Sequence, residues 1–391
     1  MKQIILIFTL VVLTMGITAQ IPVDSVLATI ELNNTTLAAI RKNTDAEKIG
    51  NKTGIYLSNP EVEFNYLWGN PSSIGNRTDF SIRQSFDFPT AYSYRNQIAN
   101  IKNDQAEIEY LKQSKEILFQ ARLVCVDLMY YNKLISEISK RQASAKQLAD
   151  AYKAKFDIGE TGILEYNKAQ IYYLTISKEL ERIEIERTAS LSELAKLNGG
   201  IAITFNESNI QPQSVAIGFE QWYATAEQNS PVLQWLKQEI NMSEKQKQLA
   251  ATQNLPKFNA GYMSEKVVGQ QFQGVSVGVS IPLLENKNAV KYAKANKLAI
   301  QSIEADAKLQ YYNQMKMLHT KAIAMQNSIA DYRKRLAAFS NTELLQKALD
   351  KGEISLSEYF FELSVYYESI DKLFEAEKSL NVTYTELHRY N

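Results

Sequence analysis

The chain has 391 residues, and its 43 Lys and Arg are balanced by 43 Asp and Glu for a formal net charge of zero. That balance excludes the strongly basic surface of a nucleic-acid binder or a polybasic membrane-surface protein. Only 15 Gly and 8 Pro stand among abundant Ala, Leu, Lys, Glu and Gln, a composition that favours long helices.

At the N-terminus, Lys2 precedes the apolar stretch "IILIFTLVVLTMG" and the small-residue exit "ITAQ", which read as a signal peptide over residues 1–19, cut after Ala19. The mature chain is therefore expected to be exported. Its apolar run falls short of the ~20 residues of a spanning helix. No Cys follows it to carry a lipid anchor, and no later stretch reads as a transmembrane helix. Any membrane part must then be built from β-strands.

After a helical stretch, "NNTTLAAIRKNTDAEKIGNKTG", residues 61–68 alternate, with Val62, Phe64, Tyr66 and Trp68 on one face and Glu61, Glu63 and Asn65 opposite. Residues 79–88 repeat the alternation with Phe80, Ile82, Phe86 and Phe88, so the two predict a β-hairpin around "GNPSSIGNRT". From Ala91 to about Phe156 there is no Pro or Gly and the apolar spacing is helical. Cys125, the only cysteine, falls in the series Leu118, Ala121, Cys125, Leu128, which makes it a packed helix residue rather than a reactive thiol.

A turn at 157–162 leads into a returning helix that stops at Gly199-Gly200. A polar connector covers about 200–217, and a helix capped by Ser230 with Pro231 in its first turn follows. A second hairpin is predicted at about 256–281, with Phe258, Ala260, Tyr262, Val275, Val277, Val279 and Ile281 on one face. A second long helix then runs to a turn at 350–355 and a last returning helix.

These landmarks repeat. Asp157, Gly159, Glu160, Glu165 and Tyr166 reappear as Asp350, Gly352, Glu353, Glu358 and Tyr359, at an offset of 193 residues. Gly159 lies 70 residues after Pro89 and Gly352 lies 70 after Pro282, which predicts long helices of equal length. The chain reads as a tandem duplication, with repeats at 20–217 and 218–391.

The duplicated layout, Asn59-Pro60 before the first strand, Pro89 and Pro282 closing the hairpins, and two "GE(x)4EY" turns resemble the TolC family of outer-membrane efflux proteins. The resemblance implies a mainly α chain with a small membrane β part. In a homotrimer, each chain would give four strands to one outer-membrane β-barrel and its helices to a hollow periplasmic α-barrel. Four strands cannot close a barrel alone, so the residues themselves call for an oligomer; the number three comes from the family. The implied function is a passive exit duct of a tripartite efflux or type I secretion system, in the bacterial outer membrane and extending into the periplasm. Its implied partners are a periplasmic adaptor (membrane fusion) protein, an inner-membrane pump of RND or ABC type, and outer-membrane lipid.

The resemblance also places Gly159 and Gly352 at the periplasmic entrance, with Glu165 and Glu358 as gate carboxylates. A local role competes, because "SLSE" at 355–358 fits a capping box for Glu358, whereas Gly162 replaces the serine before Glu165. Family members often tie the entrance shut with basic or hydroxyl residues, and no Arg accompanies either turn here. The implied adaptor-docking residues are Asp157, Glu160, Gly162, Asp350, Glu353 and Ser355. Tyr66, Trp68, Phe86 and Phe88 are candidates for an interfacial aromatic belt, or for plain packing between hairpins.

Enzyme chemistry finds no motif. His319 and His388 read as solvated helix residues, Met315 and Met317 as packing, and no Gly-rich loop ends in Lys-Ser or Lys-Thr. No cofactor or metal is implied, and energy for transport must come from a partner. The competing class is a non-conducting periplasmic coiled-coil adaptor or scaffold.

Overall fold

The computed structural model describes residues 22–390 apart from 210–213, 217 and 340, so the leader expected at 1–19 lies outside the described residues. In chain order the elements are α1 (Val23–Asn33), α2 (Thr35–Gly50), β1 (Glu61–Leu67), β2 (Arg77–Phe86), α3 (Pro89–Asp157) and α4 (Ile163–Leu197). They continue with α5 (Phe219–Asn229), α6 (Pro231–Thr252), β3 (Lys257–Val267), β4 (Gln270–Ser280), α7 (Ala289–Ala338), α8 (Thr342–Asp350) and α9 (Leu356–Leu387). The expected hairpins and long helices are present; α1 and α5 are additional.

Two compact units divide the chain. One holds the described residues of Met1–Asn33, Ala121–Gln211 and Arg335–Lys378, and the other those of Asn34–Gln120, Pro212–Lys334 and Ser379–Asn391. Each draws on both halves of the sequence.

The second unit contains a four-stranded antiparallel sheet of order β1-β2-β3-β4. The two hairpins are joined edge to edge by β2 and β3, with Ile82 opposite Tyr262 and Phe86 opposite Phe258. Two strand boundaries differ from expectation. Trp68 lies just beyond β1, and β2 runs two residues earlier than alternation suggested, leaving Phe88 outside it. The ladder explains the second shift, since Arg77 and Thr78 pair with both neighbouring strands, whereas β2 has no paired residue beyond Phe86.

α3 is one helix of 69 residues, roughly 100 Å at 1.5 Å per residue. Pro89 opens it, where a missing N–H costs nothing. Its repeat partner does not keep this length. α7 starts only at Ala289, after a turn with Asn288 at φ 68°, and ends at Ala338, with α8 resuming at Thr342. Asn341 and Thr342 favour caps over helix interiors and have no counterpart in "SAKQLAD" of α3. The expectation of two equal helices is corrected accordingly.

The expected caps form. Ser230 accepts a hydrogen bond from the Leu233 amide at 3.5 Å to start α6. Past α4, Gly199 and Gly200 adopt φ 67° and 87°, and the Gly200 amide donates to the Ala195 carbonyl at 2.9 Å. The connector after them is irregular but tied down. Phe205 is buried, and Asn132 and Arg187 donate to Glu207 O at 2.9 Å and Asn206 Oδ1 at 3.0 Å.

Cys125 is fully buried, and burial pushes its thiol up to about 12. His319 corrects a solvated assignment. It is 4% exposed, its Nε2 lies 2.6 Å from the Ala216 carbonyl, and its ring meets Phe219 edge-on. His388 is half-buried, stacked on Tyr384 at 4.0 Å. Met315 is packed as expected while Met317 is exposed.

Candidate functional site

The two glycine turns have the same construction. The Gly159 amide donates to Phe156 O at 3.0 Å and the Glu160 amide to Lys155 O at 2.8 Å; Gly352 and Glu353 donate to Leu349 O at 3.0 Å and Ala348 O at 2.9 Å. This pair of bonds is the Schellman motif, which requires a left-handed residue at its centre. Gly159 at φ 79° and Gly352 at φ 72° supply it. Beyond the glycines, Phe156 stacks on Tyr166 at 5.2 Å, and the equivalents Leu349 and Tyr359 meet in a buried cluster with Ala149, Ala169, Leu356 and Leu363. Asp157, Glu160, Gly162, Asp350, Glu353 and Ser355 are all exposed.

The starts of the returning helices differ. Before α9, the Ser355 amide donates to Glu358 Oε2 at 2.7 Å and the Glu358 amide to Ser355 Oγ at 3.2 Å, a complete capping box. The Ser355 backbone bond, then its hydroxyl, holds the Glu358 carboxyl below the usual carboxylate range. Before α4, Gly162 has no side chain to give, and Glu165 turns to Lys168 at 2.9 Å. Lys168 also donates to Ser357 Oγ of α9 at 3.0 Å, a cross-repeat tie made by Lys rather than Arg.

A second feature of this unit escaped the sequence reading. Three ion pairs join α3 to α9: Asp127 to Lys378 at 2.7 Å, Lys133 to the buried Glu377, and Arg141 to Asp371. Arg141 is 6% exposed, makes a two-pronged bond to Asp371 at 2.9 and 3.0 Å, and lies over the Tyr367 ring. Burial opposes its charge, and the bonds and charges of Asp371 and Glu137 outweigh that, leaving the guanidinium above its ordinary value. Helical charges look like solvated surface in sequence; only the partner helix distinguishes these.

On the sheet, the register gathers most apolar residues of the four strands on one face, with Leu67, Met263, Val267 and Phe272 on the other. Val62 is opposite Ile82, which is opposite Tyr262, which is opposite Val275. Phe64, Phe80, Ala260, Val277, Phe258 and Val279 extend this face. It is uncovered: Val62 and Phe64 are 66% and 65% exposed, Val275 and Val277 84% and 80%. Gln84 interrupts it, with its Nε2 donating to Ser58 O at 2.8 Å. The opposite face carries Glu61, Glu63, Asp79, Ser81, Arg83, Gly261, Ser276 and Gly278. Tyr66 and Trp68 meet edge-on at 5.5 Å at the hairpin-turn end, while Phe86 ends β2 and Phe88 precedes α3.

Among the described residues, no group of three or more His, Cys, Asp or Glu is placed to hold a metal ion, and no helix is long and apolar enough to cross a membrane.

No family model matches the sequence, and no curated protein does. Solved structures do. The CmeC outer membrane channel of Campylobacter jejuni superposes with TM-score 0.74 at 12% identity, covering 94% of this chain and 85% of its own. A membrane protein from Pseudomonas aeruginosa gives 0.77 at 10% identity, covering 94% and 92%. CusC, a protein that forms a transmembrane channel, gives 0.76 at 11%, covering 94% and 91%. The chain has the TolC-like outer-membrane-channel fold. Within the TolC-like fold, the duplicated hairpins and paired glycine turns are the features that the sequence resemblance rested on.

Proposed function

We propose that this chain is one subunit of a trimeric outer-membrane exit duct for efflux or secretion, passive and loaded by an adaptor and an energised inner-membrane pump. The observation that carries the membrane reading is the course of the apolar band. The row Val62–Ile82–Tyr262–Val275 is the row farthest from the hairpin turns in the apolar series of β1 (Val62, Phe64, Tyr66) and the row nearest them in that of β4 (Val275, Val277, Val279). Across three strand spacings the band slides by two same-face rows, four residues, along the strands. At about 3.3 Å per residue and about 4.8 Å per strand, that is a slope of about 40°. Strands of membrane barrels tilt by about 35–45° to the bilayer normal, so a diagonal band on the sheet becomes a level belt in the wall.

A soluble sheet capping a bundle has no reason to leave this face bare. β1 and β4 each keep one edge unpaired within the chain, and closure by further copies removes both edges. Three copies make a twelve-stranded wall with the Glu- and Ser-bearing face inward.

Gating belongs to the same reading. Gly159, Gly352, Glu165 and Glu358 line the periplasmic entrance, the exposed residues from Asp157 to Gly162 and from Asp350 to Ser355 receive the adaptor, and Tyr66, Trp68, Phe86 and Phe88 sit at the lipid boundaries. The test is membrane fractionation with single-channel recording of the purified protein in planar bilayers. Heat-modifiable oligomers in the outer membrane that give discrete openings are expected. Soluble periplasmic protein that never inserts would return the assignment to a scaffold.

A further inference from the structure

The second hairpin meets its long helix differently from the first. Pro89 opens α3 at once, whereas after Pro282 the chain turns and α7 starts only at Ala289. The turn is fixed in place. The Lys287 amide donates to Leu284 O at 3.1 Å, Asn286 Nδ2 to Gln253 O at 2.5 Å, and Glu285 holds Lys257 at the start of β3 at 3.2 Å. It presents Leu283 and Leu284, 85% and 78% exposed. Lys287, Lys291 and Lys294 follow, all exposed, and none pairs with an acidic side chain among the described residues. On α7, Lys291 and Lys294 lie about 60° apart on one side of the helix, away from buried Ala293 and Ile300. The neighbouring Lys297 is by contrast held by Glu244 at 2.7 Å. Through the 193-residue offset these leucines and the three unpaired lysines correspond to Thr90, Ala91, Tyr94, Ile98 and Ile101 in the first copy, so the cluster belongs to the second copy alone.

The apolar band sets the height of this cluster. In a membrane barrel such a band is about 25 Å tall, so about 12 Å lies on either side of its middle on β4, at Val277. A strand tilted by about 40° advances about 2.5 Å per residue along the bilayer normal. The band therefore ends about five residues past Val277, at about Pro282. Leu283 and Leu284 stand at that edge. The three lysines come just beyond it, on the side from which the helices leave.

We infer that this turn and the first turns of α7 bind the headgroup of an anionic phospholipid of the periplasmic leaflet, with the leucines against its acyl chains and the lysines against its phosphate. The inference rests on the duct reading above. A free phosphate has no use for an exposed leucine pair, and a zwitterionic headgroup does not neutralise three unpaired ammonium groups. Only a ligand that is apolar on one side and anionic on the other matches both halves of the cluster.

The test is native mass spectrometry of the full-length oligomer in neutral detergent, titrated with phosphatidylglycerol or with phosphatidylcholine of the same chains. A lysine beside an anionic headgroup contributes about fivefold in affinity, so the wild type should bind phosphatidylglycerol at least about tenfold more tightly than phosphatidylcholine. The triple variant Lys287→Gln, Lys291→Gln, Lys294→Gln should bind the two alike. A control with Lys146→Gln, Lys178→Gln and Lys196→Gln removes the same charge from exposed sites in the other unit and should keep the preference. An oligomer that conducts in planar bilayers but takes up both lipids equally, or a preference that survives in the triple variant, would overturn the site and leave the duct standing. Displacement of the lipid by inorganic phosphate would reduce the cluster to an anion site and also overturn the inference. Wild-type protein that forms no conducting oligomer would overturn the duct, and the lipid site with it.

Discussion

Val62 and Val275 share one cross-strand row three strands apart, yet they stand at opposite ends of the apolar series on their strands. The apolar band therefore crosses this sheet diagonally, and its middle on β4 is Val277, the position that the proposed duct sets deepest in the bilayer. Arginine there should cost about 2–4 kcal/mol of assembly in the bilayer. Val277→Arg is expected to deplete heat-modifiable oligomer from the outer membrane, while Ser276→Arg, on the other face of the same strand, leaves it abundant. Equal loss from both would refute the face assignment.

The capping box gives α9 a pH response. The folded pKa of Glu358 lies below the ordinary value, so its stabilisation is complete above the unfolded carboxylate pKa of about 4.3 and disappears as pH falls through the folded pKa. Amide exchange in the first turn of α9 should accelerate over that acid window in wild type. In Glu358→Gln the same turn should lose that pH dependence.

Gly162 marks the unmatched half of the duplication. Its φ of −79° suits any residue, and an added Cβ meets nothing within 4 Å. Gly162→Ser should therefore build in α4 the box that Ser355 builds in α9, drawing Glu165 away from Lys168. A stabilisation of about 0.5–1 kcal/mol in chemical denaturation is expected. A neutral result would mean that Lys168 holds Glu165 more firmly than a cap does.

Gly159→Ala and Gly352→Ala face open space but left-handed backbone. Each should cost about 1–2 kcal/mol, with no repacking to offset it. Similar losses at both sites are the expected signature of two equivalent turns.

Asp371→Asn removes the two-pronged charged partner of a guanidinium that is 6% exposed and leaves it only Glu137 at 3.3 Å, whereas Asp150→Asn breaks only the exposed pair with Lys146. The first should destabilise by about 1–3 kcal/mol and the second by less than about 0.5 kcal/mol, as read by urea denaturation. Equal effects would show that the α3–α9 pair is ordinary surface.

Much of this protein is decided by short-range rules that a sequence carries openly. Alternation fixed which faces of the hairpins are apolar, because the side-chain period of a strand is two. Gly159 and Gly352 marked the turns, because a Schellman motif needs only the last helical turn and one left-handed residue. Their common offset revealed the duplication. Tertiary structure alone decided the rest. The joining of β2 to β3, and with it the diagonal apolar band, depends on a register between residues nearly two hundred positions apart. Arg141 finds Asp371 across 230 residues, and His319 is buried by a connector and an aromatic group that precede it by about a hundred residues. Such pairings are set by which helices and strands meet, and no local preference of either partner specifies the other.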